Sequence, residues 1–410
     1  MTKDGDFELI FETCDGDKVL RDESNVLVRF AQKRNGIVTS WINAGYREDL
    51  EAVFNHQLSQ DTLDEEESEE IEISDYLKGL SHEMASSLDL DENRISGLVT
   101  SAKMTNVGIS TERFRKLEVT AISTAGTNVN AGSAGDPASY YEENGHFDLD
   151  INQSAGDCSE SLDDEVAGGE DNRTVNDDGV FPEKPGTINS IILINACLDE
   201  SSILLAEMTA VEAKTVALRD LMIPSCYSNE VATGTGTDGI AIFSNMESEN
   251  HVEIAGKHSK LGEMIAKTVI DSIKTALEKQ IWLTPSYQSN ALVRLERYRT
   301  DLDAFYNDYL GLDECQKQEF IKSLIEVDKN PELIGYVSLV LSILDQFRSG
   351  LISKNAASVV IGSLFDNQFN KEQWHNMRML VEYIVKINLG DIKLFLILLL
   401  ISFIRCDFLI

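Results

Sequence analysis

The chain has 410 residues, 42% of them hydrophobic, 7% aromatic and 26% charged. That is enough apolar material for at least one large core and, at roughly 100 to 200 residues per domain, for two, so a wholly disordered chain is excluded. Lys and Arg number 35 against 70 Asp and Glu, a formal charge of −35, so the basic surface that nucleic-acid binding needs is missing and nucleic acid is not an expected partner.

In chain order, Met1 to Leu20 mixes acids with short apolar pairs and lacks the basic start and apolar run of a secretory signal. Val26 to Phe30 and Ile37 to Ile42 are β-branched runs flanking Arg34-Asn35-Gly36, which predicts a hairpin turning at those three residues. A helix is expected from Asp49 to Phe54, and the run from Asp61 to Glu72, with eight acids and no base, reads as a solvated loop. Asp75 to Leu88 predicts a helix, with Asp75 as an available N-cap. Strands follow at Ile95 to Thr100, Val107 to Thr111 and Leu117 to Thr124, close enough in sequence to favour antiparallel pairing.

Residues 142–185 are rich in Gly, Ser, Asn and acids, with fourteen acids against Arg173 alone from Glu142 to Glu183. Such a segment cannot bury enough apolar surface to offset its ordering entropy, so it is expected to be a long flexible insertion. Thr187 to Asn195 predicts a strongly apolar strand. A helix follows over Ser201 to Leu221, with Leu204, Met208, Val211, Thr215 and Leu218 at three- and four-residue steps. Gly239 to Asn245 and His251 to Ala255 read as a second hairpin, and Ser259 to Lys279 as a helix that closes a first domain near Leu283. The fold class is α+β, with mostly antiparallel sheet flanked by helices over residues 1–283, followed by an all-α region over 284–410.

The stretch Leu394 to Ile404 is apolar except for Ser402, too short to cross a membrane unaided. It is expected to be a buried or docking helix, with interfacial membrane contact or an artefact of the sequence end as the other readings; no transmembrane span is expected. Six cysteines, Cys14, Cys158, Cys197, Cys226, Cys315 and Cys406, lie far apart with no C-x-x-C spacing, which points to reduced thiols and a cytoplasmic location.

Two runs concentrate small and polar residues at element ends: Thr124 to Pro137, and Ala232-Thr233-Gly234-Thr235-Gly236-Thr237-Asp238-Gly239. Glycines allow close backbone approach to a ligand, and consecutive N–H groups can cradle an anion, so the two runs could frame one pocket. Neither has P-loop spacing, and a strand rather than a helix follows the second. A polar turn is the plainer reading of that run. Glu212 and Lys214, two residues apart on one helix, lie on different faces, with a solvated salt-bridging face as the plain account. His251-Val252-Glu253 lacks the Pro-Cys-x-x-Cys partner of zinc deaminases, so no metal is expected there. His258, just before a helix, is the better acid/base candidate.

Several blocks, in order, carry a resemblance: Asn43-Ala44-Gly45-Tyr46-Arg47-Glu48-Asp49, Gly126-Thr127-Asn128-Val129-Asn130-Ala131-Gly132, Gly135-Asp136-Pro137, Gly186-Thr187-Ile188-Asn189, Met208-Thr209-Ala210 with Glu212-Ala213-Lys214, the 232–239 run, and Ala255 to Gly262. Together, across residues 25–280, the sequence resembles the adenosylcobinamide amidohydrolase family of corrinoid salvage. The resemblance implies hydrolysis of the amide joining an aminopropanol arm to a propionate of the corrin ring, giving adenosylcobyric acid. The cobalt corrinoid is then the substrate, and no protein-bound metal cofactor is expected. The polar and glycine positions of these blocks, Tyr46, Arg47, Asn128, Asn130, Asp136, Gly234 and Gly236, form the expected substrate-binding set. The acidic insertion and the region after Pro285 depart from the plain family pattern, and the partner of the helical region is unknown.

Amide hydrolysis needs an activated nucleophile, a stabilised oxyanion and an acid for the departing amine. Chemistry alone assigns backbone N–H groups around Gly234 to Thr237 to the oxyanion, Asp238 or Glu212 to water activation, and His258 or Lys214 to amine protonation. Thr235 or Thr237 as a covalent nucleophile is the rival. The absence of a Gly-x-Ser-x-Gly elbow argues against a serine-hydrolase triad. A non-catalytic corrinoid-binding or trafficking protein, or an amidase for an unrelated amide, are the alternative functions.

Overall fold

The computed structural model describes residues 7–58, 73–144, 146–148, 186–298 and 314–368, which fall into two compact units. One is built from the residues up to Ala138 and from 186 to Thr284, the other from 139–148 and from Pro285 onward.

The first unit stacks two sheets between helices. One sheet contains β1 (Glu8–Glu12), β2 (Lys18–Arg21), β3 (Asn25–Arg29), β6 (Ala52–Gln57) and β7 (Ile95–Thr100), in that order. The other is ordered β5 (Gly45–Arg47), β4 (Arg34–Val38), β15 (Gly239–Asn245), β13 (Ile188–Ile194), β9 (Leu117–Ala125) and β8 (Gly108–Phe114). Pairing is mostly antiparallel. The two parallel pairs, β6 with β7 and β13 with β15, are each bridged by a helix, α1 (Ile73–Ser87) and α2 (Glu200–Asp220), because a parallel return needs a crossover.

Side-chain alternation explains the layers. Val26, Val28 and Val53 from one sheet meet Ile122, Ile191, Leu193, Ala241 and Phe243 from the other. The opposite faces bury Leu27, Phe54 and Ile95 under α1, and Ile188, Ile192 and Ile242 under α2 and α3 (Lys260–Ile281). The order is therefore helix, sheet, sheet, helices.

Four local expectations are corrected. The segment 49–54 is not helical: Ala52, Val53 and Phe54 are fully buried within β6, a strand covered on both faces whose apolar run has no strand-like alternation. Arg34-Asn35-Gly36 is no turn but the start of β4, in a different sheet from β3, so no hairpin forms. Gly36 is required by close packing, since a Cβ there would lie 2.3 Å from the Ile242 carbonyl oxygen. Residues 251–255 are not a strand: His251 makes one bridge to Cys197, and Ser202 and Thr209 hydroxyls pin the loop to α2 through the carbonyls of Glu253 and Ala255. On α2 the buried face is Ile203, Ala206, Ala210, Ala213 and Ala217, small side chains that let the helix lie close to its neighbours. Leu204, Met208 and Val211 face outward.

The expected insertion begins with a short hairpin, β11 (Tyr141–Glu143) with β12 (His146–Asp148). Its remainder, the acidic run at 61–72 and the apolar tail at 394–404 lie outside the described residues. The second unit is helical after Pro285: α4 (Ala291–Leu295), α5 (Glu314–Asp328), α6 (Pro331–Arg348) and α7 (Lys354–Gln368). Asn330 caps α6 by accepting from the N–H groups of Glu332 and Leu333, with Pro331 in the first turn. Arg297 donates to both oxygens of Asp345 at 2.6 and 2.8 Å, tying the segment after α4 to α6. No helix among the described residues is long and apolar enough to cross a membrane.

Candidate active site

The two Gly/Thr-rich runs do meet. Ala131–Gly132 (β10) pairs antiparallel with Gly234–Thr235 (β14), forming a two-stranded ribbon at the end of the second sheet where β15 begins. The Cys226 and Thr233 N–H groups donate to the carbonyls of Ala131 and Gly132 and extend it.

Asp238 lies in the turn between β14 and β15. Its Oδ1 accepts from the Ile188 N–H at 3.0 Å and the Thr235 hydroxyl at 2.5 Å. Its Oδ2 accepts from the Thr235 N–H at 2.9 Å and from Lys214 Nζ. The Lys214 and Asp238 side chains are only 12% and 9% exposed, so the pair is largely out of water. Gly234 makes this possible: a Cβ there would stand 2.5 Å from Asp238 Oδ2 and 3.0 Å from Lys214 Nζ. Four donors fill the acceptor positions of a carboxylate. An amide at this position would present its NH₂ to two donors, so Asn could not reproduce these hydrogen bonds. The Thr235 N–H, one of the expected oxyanion donors, is already committed to Asp238. Asp238 joins Lys214 to the hydroxyl of half-buried Thr235, and the resulting chain is Lys214, Asp238, Thr235.

Thr237 is beside this chain but turned toward β13: its hydroxyl shares a hydrogen bond with that of Thr187 at 2.7 Å and reaches the Gly186 carbonyl at 3.1 Å. Gly236, between Thr235 and Thr237, is exposed. Asn130, immediately before β10, is 2% exposed, while Asn128 is exposed. Asp136 sits on the far side of β10, accepting from the Ser133 N–H and the Ser225 hydroxyl, both at 2.6 Å. Burial opposes its charge, yet hydrogen bonds from Ser225, Ser228 and Ser133 outweigh that and hold its carboxyl below the usual range. It shapes the ribbon's return loop.

Other candidates stand apart from the chain. Glu212 is exposed and accepts from Lys257 at 2.5 Å, not from Lys214. His258 is exposed, with no hydrogen bond to Asp238 or Thr235 among the described residues. The Tyr46 hydroxyl donates to Glu48 and accepts from Asn35, whose side chain is joined to Ser244 and the Leu198 carbonyl near the end of β15 remote from Asp238. Burial, with Glu48 beside it, raises the Tyr46 phenol above its usual range. Arg47 forms a two-pronged pair with Asp49 at 2.8 and 2.9 Å. The hydrogen bonds of Tyr46 and Arg47 thus serve the β5 edge.

Sequence reasoning gave no role to the Ile188 N–H and Thr187, which complete the Asp238 turn. Parallel register β13 to β15 sets Asn189 opposite Gly239 and so brings 188 to 238. The signal was the helix between two apolar strands, which marks a parallel crossover.

The adenosylcobinamide amidohydrolase family model matches residues 10–285, which contain the whole ribbon and its ion pair. An uncharacterised protein of Methanocaldococcus jannaschii is 30% identical over 269 residues, covering 65% of this chain and 91% of that protein. The adenosylcobinamide amidohydrolase of Methanosarcina mazei is 35% identical over 106 residues, 24% of this chain and 50% of that one. A crystal structure of a Pyrococcus horikoshii protein aligns over 67% of this chain and 83% of its own, at 11% identity and a TM-score of 0.30. The match over residues 10–285 makes the chain a member of the adenosylcobinamide amidohydrolase family.

Proposed function

We propose that this chain hydrolyses the amide between the aminopropanol arm and the corrin propionate of adenosylcobinamide, giving adenosylcobyric acid and aminopropanol. The observation that carries the reading is the Lys214, Asp238, Thr235 chain inside the family-matching segment, a hydroxyl hydrogen-bonded to a carboxylate that a lysine holds in place.

The chemistry follows from those contacts. Thr235 Oγ1 attacks the amide carbonyl carbon as its proton passes to Asp238 Oδ1. The tetrahedral oxygen takes the negative charge, and the C–N bond then breaks as the proton on Asp238 moves to the departing nitrogen. Water adds to the resulting ester and gives one proton to Asp238, which returns it to Thr235 as the ester bond breaks; the acid is released and its remaining proton passes to solvent as the carboxylate forms. One water is consumed and one amide is cleaved. Lys214 stays on Oδ2 throughout and offsets the changing charge of the carboxylate. Glu212 and His258 have no part in these steps.

Incubating the protein with adenosylcobinamide and quantifying released aminopropanol by mass spectrometry tests the reading. Stoichiometric amine and adenosylcobyric acid are the expected result. Tight corrinoid binding without amine release would replace it with a binding or trafficking role, and cleavage of other amides but not this one would leave an amidase of different substrate.

A further inference from the structure

Among the described residues, Asn130 is the side chain beside the ribbon whose burial and bonding do not balance. It is 2% exposed, its Oδ1 is buried with no hydrogen-bond partner, and no side-chain hydrogen bond of Asn130 is present among the described residues. A buried amide left unpaired costs about 1–3 kcal/mol, so such groups call for an explanation. Glycines flank it on both sides. A Cβ on Gly186 would lie 2.6 Å from Asn130 Oδ1, so that glycine is required for the amide to fit. At the other end, Nδ2 lies 4.0 Å from where a Gly236 Cβ would be. The carbonyl end therefore packs against the backbone at Gly186, and the NH₂ end lies near exposed Gly236, the residue next to Thr235.

The ribbon register explains this proximity. Ala131 stands opposite Thr235, so Asn130 precedes that pair on one strand as Gly236 follows it on the other. The oxyanion formed when Thr235 attacks needs a donor near this step, and the Thr235 N–H is already given to Asp238. Resting on the reaction proposed above, we infer that Asn130 is a catalytic residue whose Nδ2 donates to the tetrahedral oxyanion. An amide fixed by packing alone is already oriented before substrate arrives, the condition under which such a donor lowers the barrier most.

Asn130→Leu removes the donor at similar size, and Asn130→Ala is the second variant should the branched side chain not fit. Each is measured with adenosylcobinamide for kcat and KM, and by thermal melting without substrate. The expected result is a fall in kcat of about 10²–10³-fold, with KM within about threefold and melting unchanged or raised for Leu, because no protein hydrogen bond is lost. If wild-type protein turns over the substrate but the variants keep kcat, or lose activity only in step with a lowered melting temperature, the Asn130 role is wrong and the reaction stands. If wild-type protein releases no amine at all, the reaction assignment fails and this role falls with it.

Discussion

Two buried ion pairs occupy opposite ends of the second sheet, and they differ in what surrounds them. At the end where β13 and β15 finish, Arg34 is 1% exposed and pairs with Asp17, which is fully buried, and with Asp15; it also donates to the Ile194 carbonyl. Asp17 in turn accepts from Thr13 and the Ala31 N–H, so the cluster staples the β1–β2 turn of one sheet to β4 of the other. At the end where β15 begins, Lys214 and Asp238 are paired as closely, but their network ends in the hydroxyl of half-buried Thr235, next to exposed Gly236. The Arg34–Asp17 pair is fully enclosed, with Asp15 at 14% exposure on its edge; the Lys214–Asp238 network borders an exposed glycine. A buried charge pair is therefore no sign of chemistry by itself, and the difference lies in whether a reactive atom at its edge can reach a substrate.

The largest expected stability effect is at the enclosed end. Arg34→Met leaves Asp17 and Asp15 without their cation and should cost about 3–5 kcal/mol in urea unfolding, with turnover per folded molecule unchanged. A stable variant would mean that the staple is dispensable, and lost turnover per folded molecule would merge the two ends into one site.

A half-buried cluster sharpens the contrast through pH. His56 Nδ1 meets Asn25 Oδ1 at 2.7 Å and its Nε2 meets the Tyr76 hydroxyl at 2.9 Å; burial lowers its pKa from 6.5 to about 4. Between those values the unfolded chain takes up a proton that the folded chain refuses, so stability falls as pH drops from 6.5 toward 4 and the effect levels off below. The full shift corresponds to at most about 3 kcal/mol. His56→Gln should flatten that part of the stability profile. A profile unchanged by the substitution would contradict the assignment.

At the open end, Lys214→Met should lower turnover by about 10²-fold and stability by about 2 kcal/mol, since Asp238 keeps three donors. Unaltered turnover would make the pair another staple. The smallest effect belongs to Glu212→Gln: its partner Lys257 is exposed, so turnover should stay within about twofold and melting should not move.

Much of this contrast was legible in the sequence. The Gly/Thr runs marked the ribbon because glycine and small hydroxyl residues cluster where backbone must approach closely, and Asp238 and Lys214 were identifiable by chemistry. Their pairing was hidden, because 24 residues separate them and Glu212, two positions from Lys214, offered the same charge in the wrong direction. The enclosed end was misread for the opposite reason. Arg34, Asn35 and Gly36 have the composition of a turn, but buried carboxylates, a carbonyl and a close strand contact use each of them inside the fold. Likewise α2 displays its large apolar residues outward and buries alanines, so periodicity gave the helix but the wrong face.

The most direct measurement is the amine-release rate of Thr235→Val against Thr235→Ser and the wild type. Valine keeps the shape and the N–H bond to Asp238 but has no hydroxyl, whereas serine keeps one. The account predicts a loss of at least about 10³-fold for Val, with Ser retaining turnover within about tenfold, at equal corrinoid binding for all three. A valine variant that releases aminopropanol near the wild-type rate would contradict the assignment of Thr235 as the nucleophile.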